Sequence, residues 1–161
     1  IAVMIIDIFK GFTATKLAYF IGLSVTGPQN SIQFVNYELA LGVTAVMGHL
    51  FPVFAGFRGG KGVATLFGMI LAINFEAALC CVAVFVVVLL LTKYVSLSSI
   101  CAGFTFPLSI VFVLHSSIKS EVLYGMCVCI LILITHQKNI ERLLKGKESK
   151  VYLFKRKTNS N

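Results

Sequence analysis

Apolar residues in this chain come in long unbroken runs. Positions 77–92, 99–114 and 122–135 contain no Asp, Glu, Lys or Arg, and each approaches the roughly 20 apolar residues that a bilayer-crossing helix needs. The run VAVFVVVLLL is apolar at every position, so it lacks the alternation of a membrane β-barrel and predicts helix. Residues 1–23 read as a first span, interrupted by Asp7, Lys10 and Lys16. The polar run from Ser24 to Glu38, with Gly27-Pro28-Gln29-Asn30 inside it, reads as an exit loop, and a second span follows at about 39–57.

After the basic turn Phe57-Arg58-Gly59-Gly60-Lys61-Gly62, apolar sequence continues from Val63 to Thr92, broken only by Asn74 and Glu76. This is too long for one ordinary crossing. Either one tilted helix is present, or a short penetrating helix (63–73) turns at Asn74-Phe75-Glu76 and returns as 77–92. Basic residues flanking short loops gather on one side of a membrane. Two helices place Arg58, Lys61, Lys93 and the basic residues of 138–157 together, with Lys119 alone opposite; one helix splits them. Two helices are therefore expected, with 63–73 short enough to be partly re-entrant. Spans at about 99–115, holding Pro107, and 121–136 complete the reading. The fold class predicted is an all-α polytopic transmembrane helix bundle with about six helices in this chain.

Composition agrees: 58% of residues are hydrophobic and 12% charged, which excludes an ordinary water-facing globular domain. The net charge of +8 suits anionic headgroups and anionic substrates better than nucleic acid. The basic stretch Lys145 to Lys157 reads as a topogenic anchor. The five cysteines sit in apolar segments and are odd in number, which reads as packing and not as a disulfide or zinc framework. The chain opens at Ile1 inside an apolar run, an opening that predicts missing upstream sequence.

The topology puts the turns 57–62 and 93–99 and the segment after His136 on one face. Gly59, Gly60 and Gly62 let backbone N–H groups turn inward, and Lys61 adds charge at the start of a helix, which is how a phosphate is cradled. It is not a nucleotide P-loop, which needs Ser or Thr directly after the lysine and a further Gly where Ala55 stands. His49, three residues before Pro52, is expected to bond within the bundle at a helix bent by the proline. If the last helix continues past the span, His136 and Asn139 share a face and meet one ligand: imidazole can move a proton, and the amide can hold an oxygen. Tyr94-Val95-Ser96-Leu97-Ser98-Ser99 adds hydroxyls that bind phosphate or cap the next helix. Asp7 and Lys10 suit an intrahelical ion pair.

Taken in order, Gly48-His-Leu-Phe-Pro-Val-Phe-Ala-Gly-Phe-Arg-Gly-Gly-Lys-Gly-Val-Ala-Thr65, Tyr94-Val-Ser-Leu-Ser-Ser99 and His136-Gln-Lys-Asn-Ile-Glu-Arg-Leu-Leu-Lys-Gly-Lys-Glu148 resemble the second and third motifs of the acyl-phosphate:glycerol-3-phosphate acyltransferases, the PlsY family, with the serine-bearing loop between them. The resemblance runs from about Asp7 to Glu148. It implies transfer of a fatty acyl group from acyl phosphate to the sn-1 hydroxyl of glycerol 3-phosphate, giving lysophosphatidic acid and phosphate, without metal or organic cofactor, at the bacterial inner membrane with the site loops and C-terminus cytoplasmic. It implies that Gly59, Gly60, Lys61 and Gly62 form the phosphate loop, that Ser96 seats substrate phosphate, that His136 and Asn139 act with Lys61 on the reacting substrates, and that Glu148 is structural. Residues 1–148 would be the membrane-embedded catalytic unit and 149–161 a basic cytoplasmic tail. The family's first motif has no match here, so one further helix and a loop are expected upstream, seven helices in all, and this exact polypeptide is expected to be inactive alone. The alternative reading is a carrier of a phosphorylated metabolite, although no internal repeat of the glycine stretch is found. A purely structural subunit would leave the clustering of polar turns unexplained.

Overall fold

The computed structural model describes residues 2–26 and 31–151, with the side chains of 22–26 excluded. Gly27-Pro28-Gln29-Asn30 and residues 152–161 of the tail lie outside the described residues. The described chain forms seven α-helices: α1 (Ala2–Thr26), α2 (Ile32–Leu50), α3 (Val63–Ile73), α4 (Phe75–Thr92), α5 (Val95–Leu108), α6 (Lys119–Thr135) and α7 (Gln137–Leu144). A 3-10 turn, Val53–Ala55, follows α2, and a π-helical segment, Ser109–Val113, extends α5 beyond Pro107. Three helical segments, Ile32–Ala55, Phe75–Thr92 and Val95–Val113, are long and apolar enough to cross a membrane. The bundle is apolar outside as well as inside: Phe20 is 80% exposed and Leu91 79%, while Met69, Phe106, Ile110 and Val128 form the interior. An outward apolar face of this extent is a lipid-facing one.

The long apolar run is two helices, as the charge argument requires. Asn74 ends α3 with its own N–H on Ile70 O and starts α4 with its carboxamide accepting from Ala77 N at 3.0 Å. One residue thus satisfies both helix ends. The 11 residues of α3 span about 16 Å at 1.5 Å per residue, roughly half of a 30 Å hydrocarbon core, so α3 starts at one face and stops inside the bundle.

Four expected boundaries differ. The stretch 93–99, read as a turn before a span at about 99, is helical from Val95 onward, so Ser96, Ser98 and Ser99 stand in the first turns of α5. The stretch from Ser31 to Glu38 is helical: Ser31 caps α2 by accepting from Phe34 N at 3.2 Å, and Glu38 is buried with its carboxylate 3.3 Å from Lys16 Nζ. Its polarity serves a cap and an interhelical ion pair, which composition alone reads as loop. Pro52 does not bend α2 but ends it, since α2 stops at Leu50 and Phe51 is no longer helical, consistent with the aversion of a pre-proline residue to helical backbone. The last helix does not continue either: α6 and α7 meet at a bend of 64°, with His136 between them.

α1 packs on α3 at glycine contacts. A Cβ on Gly68 would sit 2.0 Å from Ile8 O, and one on Gly11 would sit 2.2 Å from Thr65 O. Both obstacles are backbone and have no rotamer to escape into. Gly68→Ala is expected to destabilise the fold by about 1–3 kcal/mol, the usual cost of overpacking, read as a lowered thermal unfolding midpoint in detergent. Unchanged unfolding would mean that the two helices are not held at this distance.

Candidate active site

The chain leaving α2 turns back on itself through residues 51–62. Gly56 and Gly62 take left-handed backbone (φ 61° and 75°), and Phe57 joins them at φ 60°, a conformation that costs a residue with a Cβ roughly 1–2 kcal/mol. Gly59 lies directly on the end of α2: a Cβ there would stand 2.0 Å from His49 O and 2.4 Å from Leu50 O. Among the described residues, no carbonyl accepts from the N–H groups of Gly59, Gly60, Lys61 or Gly62, and the first backbone bond of α3 is Leu66 N to Gly62 O at 2.8 Å. Gly62 has no side chain with which to cap Val63, Ala64 and Thr65. The result is a row of open donors at the positive end of a helix dipole, an arrangement suited to an anion.

Lys61 extends from this row to α7, where its ammonium donates to Asn139 Oδ1 at 2.5 Å. Asn139 Nδ2 donates to Glu148 Oε1 at 2.8 Å, Ser96 Oγ donates to the same oxygen at 2.7 Å, and Arg142 Nε donates to Glu148 Oε2 at 2.7 Å. One carboxylate, 8% exposed, thereby joins α5, α7 and, through Asn139, the glycine loop. The hydrogen bonds from Arg142, Asn139 and Ser96 hold the Glu148 carboxyl down at about 2, so it is ionised throughout the neutral range. Burial lowers the pKa of Lys61, while the Glu148 charge acts in the opposite sense. Behind Glu148 the chain stays on the bundle: Val151 N donates to Lys93 O at 2.8 Å, and Lys150 lies 5.5 Å over the Tyr94 ring.

His136 is 2% exposed. Its Nδ1 lies 3.0 Å from Ile132 O, a carbonyl that can only accept, so Nδ1 carries the proton and Nε2 keeps a lone pair. The serine run sorts itself by direction: Ser98 and Ser99 bond back to Tyr94 O and Val95 O at 2.8 and 2.9 Å, whereas Ser96 leaves the helix for Glu148.

These groups line one cavity of about 1110 Å³. Gly59, Gly60, Lys61, Gly62, Ser96, His136 and Asn139, the residues singled out in the sequence, all border it, together with Glu148 and Arg142. Asp7, Lys10 and His49 border it from α1 and α2. Val3, Met4, Phe67, Ile70, Val82 and Phe85 add apolar wall. A cavity with open anion donors at one end and hydrocarbon on its sides suits an amphiphile with a phosphate head.

The sequence model of the family described as glycerol-3-phosphate acyltransferase matches residues 1–146. The chain belongs to that family. Among curated members, the glycerol-3-phosphate acyltransferase of Prochlorococcus marinus (strain MIT 9215) is 39% identical over 149 residues, 92% of this chain and 71% of the relative. That of Staphylococcus saprophyticus is 38% identical over 151 residues, with 92% and 71% covered. The crystal structure of PlsY (YgiH), an integral membrane glycerol 3-phosphate acyltransferase in its glycerol 3-phosphate form, superposes with a TM-score of 0.77 at 32% identity, covering 94% of this chain and 70% of that one. The lysophosphatidic acid form gives 0.75 at 33% identity. As a member of the PlsY acyltransferases, the chain is a membrane enzyme, and its seven described helices are part of that fold.

Two features of this candidate site in the acyltransferase were not legible beforehand. Arg142 carries no signal beyond its place three residues after Asn139, and its partner Glu148 reaches it only because the chain turns through Gly146 at φ 64°. Ser96 spends its hydroxyl proton on Glu148, so in this arrangement it holds the carboxylate, and contact with a phosphate requires the hydroxyl to turn.

Proposed function

We propose that this chain transfers a fatty acyl group from acyl phosphate to the sn-1 hydroxyl of glycerol 3-phosphate, giving lysophosphatidic acid and inorganic phosphate. The observation that carries the reading is the row of open amide donors with Lys61 at the head of α3, sharing one cavity with an apolar wall. Both substrates are anionic, and the donor brings a hydrocarbon chain. Family membership and the likeness to PlsY in its glycerol 3-phosphate and lysophosphatidic acid forms support the acceptor and the product.

In this mechanism the acceptor oxygen bonds to the acyl carbon, the carbon–oxygen bond to phosphate breaks, and phosphate leaves with the electron pair. The loop amides and Lys61 stabilise the negative charge that gathers on the donor phosphate and the carbonyl oxygen. Asn139 aims Lys61, and the Nε2 lone pair of His136 orients the acceptor hydroxyl and takes its proton, or passes it to the departing phosphate. Because the mixed anhydride is already activated, alignment is the larger part of the task.

The basic residues Arg58, Lys61, Lys93, Lys138, Arg142 and Lys145 share the side of the bundle that carries the site, whereas Lys119 begins α6 on the other. This asymmetry supports a bacterial inner-membrane protein with the site loops facing the cytoplasm. Residues 1–148 form the catalytic unit in this reading, and 149–161 form a basic tail for anionic headgroups.

The test is transfer from palmitoyl phosphate to radiolabelled glycerol 3-phosphate by the protein as its gene encodes it, with His136→Ala alongside. Labelled lysophosphatidic acid formed by the native protein, and reduced about 10²-fold in the variant in keeping with loss of a general base, supports the reading. Uptake of a phosphate ester into liposomes without acyl transfer would overturn it in favour of a carrier.

A further inference from the structure

The same cavity holds a second polar cluster, contributed by α1 and α2. Lys10 Nζ lies 2.6 Å from Asp7 Oδ1 and 2.6 Å from His49 Nδ1, and Asp7 Oδ1 lies 3.4 Å from that nitrogen. An ammonium paired with a carboxylate has donors and no acceptor, so His49 Nδ1 must be accepting and the ring proton sits on Nε2. Nε2 points at the glycine loop: a Cβ on Gly60 would stand 2.4 Å from it and 3.1 Å from Cε1. The ring edge therefore touches the backbone of Gly60 itself. The His49 side chain is 14% exposed and Asp7 17%, and a carboxylate so placed in a helix bundle needs the cation that Lys10 supplies.

We propose that Asp7, Lys10 and His49 are positioning residues, in which the Asp7–Lys10 pair on α1 locks the imidazole of α2 so that its edge sets Gly60 and aims the amides of the phosphate loop. This deepens the acyltransferase reading and rests on it. The three points of the device belong to separate parts of the chain, α1, the last turn of α2 and the loop, and the contact at Gly60 is the one that transmits. A ring turned over about its Cβ–Cγ bond would offer Lys10 a carbon in place of Nδ1, so the Lys10 bond selects one of two orientations. Loop amides must meet phosphate oxygens within a few tenths of an ångström, and a misplacement of about 1 Å can cost roughly 10²-fold in rate.

The close approach makes a specific coupling testable in the native-length protein, read both as transfer rate and as the dissociation constant for inorganic phosphate. Gly60→Ala alone forces a methyl into the His49 ring and is expected to weaken both at least tenfold. Added to His49→Ala, which removes the ring, the same change is expected to cost less than threefold more. Lys10→Met is expected to lower kcat with little change in KM for glycerol 3-phosphate, and to add nothing in the His49→Ala background. His49→Asn, which keeps an acceptor for Lys10 and withdraws the ring edge, provides the same cycle if His49→Ala unfolds. Multiplicative losses in both cycles, or native phosphate binding and rate in His49→Ala, overturn the relay while leaving the enzyme reading intact. A native protein that neither binds phosphate nor transfers acyl groups overturns both.

Discussion

Lys61→Ala is expected to reduce kcat for acyl transfer by about 10²–10³-fold, the size of loss seen when one preorganised charge-stabilising group is removed from a site. The fold should survive, because Lys61 is a loop residue beyond the end of α2 and its partner among the described residues, Asn139 Oδ1, borders a cavity. Lys61→Arg should not restore the rate. The ammonium occupies a single point beside Asn139, whereas a guanidinium is longer and planar and would carry its charge past that point. The measurement is steady-state transfer with each substrate varied in turn, alongside a thermal unfolding scan. A loss of kcat with an unchanged unfolding midpoint is the expected pattern. Retention of more than a tenth of the rate would remove Lys61 from the reaction.

Glu148→Gln should impair both stability and activity. The carboxylate accepts from Ser96 and Asn139 on one oxygen and from Arg142 on the other, and an amide has only one accepting oxygen. Whichever way the glutamine turns, its NH2 group faces a donor, so at least one bond to a charged group is lost, worth about 1.5–3 kcal/mol. If the NH2 group faces Asn139, Lys61 loses its aim; if it faces Arg142, the strap that holds the segment after α7 is loosened. The expected result is a lowered unfolding midpoint together with a fall in kcat. The pH dependence follows in sign: the Glu148 carboxyl is depressed from 4.5 to about 2 in the fold, so its stabilisation is fully present above about 4.5 and is lost as the pH falls towards 2. Stability attributable to this residue should be flat from pH 5 to 8. A native-like unfolding midpoint in Glu148→Gln at pH 7 would contradict the network.

The helices were legible because the bilayer imposes length and apolarity on each span, and charge bias then separated α3 from α4 within one apolar run. The glycine loop was legible for a related reason: closely spaced glycines beside a lysine have few physical uses at a helix start. Helix ends were less so. Ser31 to Glu38 is helical although polar, because Glu38 finds Lys16 on another helix, and no reading of the chain in one dimension contains that pairing. The bend at His136 is equally invisible in a sequence whose polar residues suit a continuing helix.

By itself, then, the sequence determined a helical membrane bundle, its two-helix reading of 63–92, and the residue types gathered on one side; lipid solvation and charge asymmetry act on composition and order alone. Tertiary structure alone decided that Glu148 joins Ser96, Asn139 and Arg142, that Ser96 gives its hydroxyl proton to Glu148 whereas Ser98 and Ser99 bond back to their own helix, and that Lys10 orients His49 against Gly60. Each of these is a meeting of side chains from different helices, set by the angles and distances at which the helices pack, and those angles depend on backbone contacts such as Gly68 on Ile8 that no local pattern encodes.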